Sequence, residues 1–225
     1  MATQKRPITK KQIETADNFE RTRENMAEFE TAAKASSLIR LAFLRLCRPV
    51  IDKRLFPKLN KQLMEIVQTD PVNDRGLRKV SMGDLSLLEG FDLNDSAPLF
   101  NSLSFGYEGI IDRPSGGMKL NLTAFIPKLE IPFPIGSTHF RFSVGAIEID
   151  FESETFKNNI IHGDYLLLDN AEIGPLNLSC TATPNSTIPL FLGLSIGFSQ
   201  LVNGKHYALK SADHNALGIV KVSQP

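Results

Sequence analysis

Four acidic side chains, Glu148, Asp150, Glu152 and Glu154, recur at every second position, and a row of carboxylates is what a hard cation such as Ca²⁺ would need. Their spacing argues against it. Residues two apart on a strand lie roughly 7 Å apart, so a flat row converges on one ion only if a loop folds back. A solvated outer strand face is the expectation, and no metal ligand is assigned.

The four histidines, His139, His162, His206 and His214, form no H-x-x-x-H or H-x-H pair and have no cysteine nearby, so zinc-ligand spacing is absent. Ser211, Asp213 and His214 bring the three residue types of a hydrolytic triad together. However, neighbours in sequence are not a triad in space, and no G-x-S-x-G elbow exists to present the nucleophile. Gly116–Gly117 is followed by neither a helix nor a Gly-Lys-Ser/Thr run, which makes it a turn and not a phosphate cradle. Cys47 and Cys180 each sit in an apolar run, where a buried free thiol is expected, and no disulfide framework is indicated. Arg40, Arg45, Arg48, Lys53, Arg54 and Lys58 form a loose basic run. They are threaded through an apolar helix and a Pro-broken loop, and do not line a solvent-facing recognition helix. No catalytic, cofactor-binding or metal-binding residue is assigned, and no cofactor is implied.

The elements that would position these groups divide the chain. Ile13 to Leu46 contains neither Pro nor Gly and predicts a helix, with Asp17 and Asn18 as possible caps and with Glu30 and Lys34 four apart in the favourable order. Phe29, Ala33, Ser37 and Leu41 trace a narrow stripe along it. From Leu38 to Leu46 the helix is apolar on nearly every side, so it must be buried against something large, either the β region or a neighbouring subunit. Arg48–Pro49 ends it. A second helix fits Pro57 to Gln68, with Leu59, Leu63, Ile66 and Val67 on one face. Asp70–Pro71 and Asn73–Gly76 read as turns.

Beyond Gly90–Phe91 short apolar or alternating runs recur between Pro, Gly and Asn, as in a sandwich or barrel. Strands are predicted near Leu103–Asp112, Met118–Phe125, Thr138–Val144, Ala146–Phe151, Asp164–Leu168, Leu176–Thr181, Leu190–Val202, His206–Leu209 and Leu217–Val222. Pro114–Gly117 supplies one hairpin turn and Asn203–Gly204 another. Pro127, Pro132 and Pro134 mark an edge or a long crossing loop. Phe140, Phe142, Val144 and Ala146 share one parity whereas Ile147, Ile149 and Phe151 share the other, which predicts a bulge or bend near Gly145.

The composition is that of an ordinary globular chain of 225 residues: 42% hydrophobic, 22% charged, with 15 Phe, 3 Tyr and no Trp. The absence of Trp weakens a sugar-stacking surface. The zero net charge conceals a polarity. Residues 1–80 hold 17 Lys/Arg against 10 Asp/Glu, while residues 81–225 hold 8 against 15. Halves of opposite sign can attract copies head to tail or present the basic half to an anionic partner. Residues 1–31 are polar and lack the apolar core of a secretory signal, and no run is long enough to span a membrane, so a cytoplasmic product at synthesis is expected, with export in an assembly by another route still open.

Arg23–Glu24–Asn25–x–x–Glu28–Phe29, Leu87–Leu88–Glu89–Gly90–Phe91 and Val202–Asn203–Gly204 together resemble a family of uncharacterised bacterial proteins of comparable length. The resemblance spans most of the chain, implies a self-contained bacterial protein and carries no activity or site.

The sequence therefore predicts an α+β protein: a basic helical region at 1–80 and an acidic antiparallel β-sandwich at 81–225, immunoglobulin-like or jelly-roll-like. The functional expectation is a non-enzymatic structural or assembly protein that forms homo-oligomers or docks on other structural proteins in a larger particle or filament. A second reading is a module that binds a glycan or protein through its sandwich loops, and a third is nucleic-acid binding by the basic half.

Overall fold

Thr9 starts the first helix with a reciprocal cap: its hydroxyl accepts from the N–H of Gln12, whose side chain accepts from the N–H of Thr9. The computed structural model describes residues 9–46 and 54–225. Helix α1 (Lys10–Thr15) stops at Ala16, which is extended, and a single 3₁₀ turn at Asp17–Phe19 leads into α2 (Glu20–Phe43). The continuous helix expected from Ile13 is thus two helices. Arg23 spans the break, donating to the carbonyls of Ile13 and Ala16 at 2.9 Å each. Helix α3 (Leu55–Gln68) buries the expected face, Leu59, Leu63, Ile66 and Val67, against α2. The Arg48–Pro49 helix stop lies outside the described residues, as do Cys47 and Lys53.

Nine strands follow, all antiparallel where they pair: β1 (Tyr107–Asp112), β2 (Gly117–Leu122), β3 (His139–Asp150), β4 (Thr155–His162), β5 (Leu166–Leu167), β6 (Leu176–Thr181), β7 (Leu190–Val202), β8 (Lys205–Leu209) and β9 (Leu217–Ser223). The one-turn helix α4 (Leu99–Ser102) precedes β1, and α5 (Pro127–Glu130) lies between β2 and β3. Strands β1-β2-β6 form a small sheet. In the large sheet, β3 and β7 run side by side through the centre, with β4 and β5 along the β3 edge and β8 and β9 along the β7 edge. Asn203 and Gly204 both have positive φ, as the β7–β8 hairpin requires.

The layers explain the double parity of β3. Phe140, Phe142, Val144 and Ala146 face the small sheet, in a core shared with Met118, Leu120, Leu192 and Leu194. Ile147 and Ile149 point the other way, into a second core with Ile39, Phe43, Leu63, Ile66 and Phe191 under α2 and α3. No bend at Gly145 is needed. The strand runs straight through it in register with Gly193, and the irregularity in this sheet falls instead between β7 and β9 at Leu192/Gly193. The reasoning from parity assumed that one face is wet, whereas this sheet is covered on both. The molecule is therefore three layers deep, helices on sheet on sheet, and the apolar end of α2 is buried by its own chain on one side, through Leu38, Ile39, Ala42, Phe43 and Leu46, while Leu41 and Leu44 stay exposed. No helix among the described residues is long and apolar enough to cross a membrane.

Asp70 closes the turn after α3. It is buried, which alone would raise its carboxyl. The Asn73 side chain and the backbone N–H groups of Lys79, Val72 and Asn73, at 2.8–3.1 Å, outweigh this and hold it down at about 2. A depressed acid contributes stability above its unfolded pKa and loses it as pH falls through the folded one. Asp70→Asn should therefore cost about 2 kcal/mol near neutrality, with the difference from the parent closing between about pH 4 and pH 2 in urea melts at several pH values.

Candidate functional site

The carboxylate row does not stay together. Strand β3 ends at Asp150, whose side chain accepts from the N–H groups of Glu152 and Ser153 and shapes the turn. Glu152 binds Lys79 and Ser81, and Glu154 faces Lys34. Glu148, expected on a solvated face, is instead buried. It accepts from the Thr183 N–H and hydroxyl at 2.8 Å and from the Ser186 hydroxyl at 3.1 Å. Among the described residues no group of three or more His, Cys, Asp or Glu is placed to hold a metal ion.

Ser211 and His214 do meet, with Oγ and Nδ1 2.8 Å apart, inside a local turn. The serine occupies the ring nitrogen that a triad reserves for its carboxylate. Cys180 is buried in the core between the sheets, and burial raises its thiol to about 12. It should resist a soluble thiol reagent in the native protein and react once unfolded, as peptide mass mapping would show. The basic run is partly consumed by the sandwich half: Arg54 reaches the Ser96 hydroxyl, and Lys58 pairs with Asp95 at 2.6 Å. Gly116 has φ +73 and lies against the backbone of Ala182, so it serves a turn as expected.

The conspicuous sequence motifs are structural. Glu28 is buried and accepts from the N–H of Gly76, while Arg75 bridges Glu24 and Asn25. The first motif thus clamps the loop after α3. Glu89 accepts from the N–H of Val222 and pairs with Lys221, and the backbone of Gly90 and Phe91 bonds that of Ile219, so the second motif locks onto β9.

Pairing across the sheet creates a site that sequence alone did not show. The helices cover only one end of their face of the large sheet. Past Leu46, whose carbonyl accepts from the Ser195 hydroxyl, the described residues of that face turn polar, with Ser143, Ser195 and Ser199 buried among larger side chains. A cavity of about 170 Å³ lies there, with Arg45 from the end of α2, Arg141 from β3, His162 from β4, Tyr165, Ser195 from β7 and Asn215 among its walls. The Arg141 guanidinium stacks over the Tyr165 ring at 4.9 Å, and Tyr165 stacks flat on His206 at 3.8 Å. His162 Nδ1 meets the Ser143 hydroxyl at 2.8 Å. Burial, and after it the neighbouring Arg141, lower His162; burial, and after it His206, lower His139, so both rings are neutral near pH 7. Three of the four histidines thus gather on one sheet face, although their spacing in sequence showed no relation. A signal did exist. At one parity of β3 and β7, polar Arg141, Ser143, Ser195 and Ser199 give way to apolar Ile147, Ile149 and Phe191, and that switch marks where the helical layer ends.

Two apolar surfaces are also exposed. The stripe of Phe29, Ala33, Ser37 and Leu41 points away from the sheet, with Phe29 and Leu41 each 55% accessible, and with Phe56 of α3 it borders an open groove. At the end of the sandwich where β3 begins, Phe100, Leu129 and Ile135 protrude, Ile135 completely. Backbone bonds from Ser104 to Glu130, Lys128 to Asp169 and Leu168 to Thr138 tie the loops of this tip together. No protein-family pattern and no characterised protein matches the chain.

Proposed function

We propose that this chain is a non-enzymatic assembly protein that joins copies of itself head to tail, the apolar tip of one sandwich seated on the outward stripe of the next copy's α2. We also group its two-sheet part with sandwiches of the immunoglobulin-like or jelly-roll-like kind, because the chain crosses between antiparallel sheets from β2 to β3, β5 to β6 and β6 to β7. The observation that carries the assembly reading is the pairing of two exposed apolar surfaces with halves of opposite charge: the stripe lies in the basic half and the tip in the acidic one. Phe29 to Leu41 spans about 18 Å of helix, long enough to receive several side chains at once. Because α2 already covers its own sheet with its other face, the stripe is left exposed among the described residues. Contact between two different patches is heterologous and propagates into rings or filaments.

Light scattering of the parent protein over a concentration series reaching tens of micromolar should show growth that salt weakens. Leu41→Asp and Ile135→Asp should each be monomeric alone. Mixed, they should form a dimer and stop, since one copy keeps an intact tip and the other an intact stripe. A parent that stays monomeric throughout, or a mixture that stays monomeric, sinks the proposal.

A further inference from the structure

The polar half of the large sheet holds two cations that meet no carboxylate among the described residues. Neither Arg45 nor Arg141 makes a hydrogen bond or ion pair among the described residues; Arg141 has only the Tyr165 ring beneath it. The described residues lining the cavity include no Asp or Glu. A half-buried guanidinium facing no carboxylate keeps its five donors available to an anionic ligand. A second observation is independent of charge. Asn215 is 9% accessible, its amide nitrogen donates to the carbonyl of Leu209, and its oxygen Oδ1 is buried with no donor. An orphan acceptor in a wall otherwise rich in donors asks for a hydroxyl.

We infer that this cavity is a binding site for a small hydroxylated organic anion, with Arg45 and Arg141 gripping the carboxylate or phosphate and Asn215 Oδ1 accepting from the hydroxyl. The Tyr165–His206 stack is the rigid floor that aims Arg141. Its fork cannot swing away without losing the ring beneath it, so it is ordered before the anion arrives. A cavity of about 170 Å³ suits a compact molecule. This site stands apart from the self-association surfaces, and its occupancy is read in monomers.

The test is calorimetric titration, with amide chemical shifts as a second readout, of the Leu41→Asp protein with four probes: glycerate, glycerol 3-phosphate, glycerol and inorganic phosphate. Glycerate or glycerol 3-phosphate should bind with a Kd below about 1 mM, and glycerol should not bind. Inorganic phosphate should bind at least about tenfold more weakly than glycerol 3-phosphate, since it carries no alcohol for Asn215. Arg45→Gln, an exposed change that leaves the fold intact, and Arg141→Gln should each weaken binding about tenfold or more. Asn215→Ala should weaken the hydroxylated anion while leaving phosphate unchanged. Absence of saturable binding by both hydroxylated anions overturns the inference. Glycerol binding as well as they do, or affinity unmoved by Arg45→Gln and Arg141→Gln, overturns it equally.

Discussion

Gly193→Val should lower the melting temperature by about 6–12 °C, the equivalent of about 3 kcal/mol for a chain of this size, and should loosen α2 while leaving the small sheet in place. A Cβ at Gly193 would sit 2.6 Å from a Leu46 methyl and 2.8 Å from the Phe43 ring. Two further bonds hold the helix end down on the sheet, Ser195 to the Leu46 carbonyl at 2.9 Å and Asn158 to the Ala42 carbonyl at 3.0 Å, so α2 cannot lift to make room without breaking them. Two other glycines on the same face provide the controls. At Gly145, which pairs with Gly193, an added Cβ makes only ordinary contact at 3.4 Å, and at Gly197 it meets nothing within 4 Å. Gly145→Ala and Gly197→Ala should therefore melt close to the parent. If Gly193→Val melts with them, the helical layer is not seated where described.

Glu148→Ala should cost about 3 kcal/mol, read as a lowered urea midpoint with an unchanged m value. Its carboxylate gathers three donors from the loop between β6 and β7. Arg113 grips the same loop from the β1–β2 turn through the carbonyls of Ser186 and Ile188, and it also holds Ser223 at the end of β9. Removing the acid takes the acceptor from both Thr183 donors and from the buried Ser186 hydroxyl, and it removes the carboxylate that supports the Arg113 charge. Burial lowers the Arg113 pKa and Glu148 opposes that shift, which is the electrostatic mark of the same coupling. Glu148→Gln keeps one acceptor oxygen and should cost about half as much. Amide exchange should show residues 182–189 opening in Glu148→Ala ahead of global unfolding. A midpoint shift worth less than about 1 kcal/mol would show that the loop is held by Arg113 alone.

The elements legible in the sequence were those whose period and punctuation agree. Strands β6 and β7, the Asn203–Gly204 hairpin and the buried face of α3 were read at the residues where they stand. Strand β4 was not read at all, because Lys157, Asn158 and Asn159 interrupt its apolar residues and most of its length is exposed at an edge. Strand β3 was divided in two because alternation carries information only when one face is wet, and no local pattern announces a third layer. The stripe of Phe29, Ala33, Ser37 and Leu41 was visible, but not its direction. Along its first half the face that α2 buries is Glu28, Ala32, Ala35 and Ser36, which carry little hydrophobic signal, and strongly apolar residues join it only from Leu38, Ile39 and Phe43 onward. The anion cavity was the least legible feature. Arg45, Arg141, the pair His162 and Tyr165, and Asn215 come from four separate segments, and only strand pairing makes them neighbours.

The three-layer order has a consequence for biosynthesis. The helices emerge from the ribosome first, yet the surface they cover includes Ile147, Phe191 and Ile219. At 5–20 residues per second, Phe43 waits roughly 10–35 s for Ile219 to be made. Throughout that interval α2 is wet on both sides, with Phe43 and Ile39 on one and Phe29 and Leu41 on the other. The nascent chain therefore passes through a stage as a sticky amphiphile with nothing to lie on. Chaperone demand should track the time taken to complete β7 and β9, so slow codons after residue 150 should lower the soluble yield more than slow codons before it.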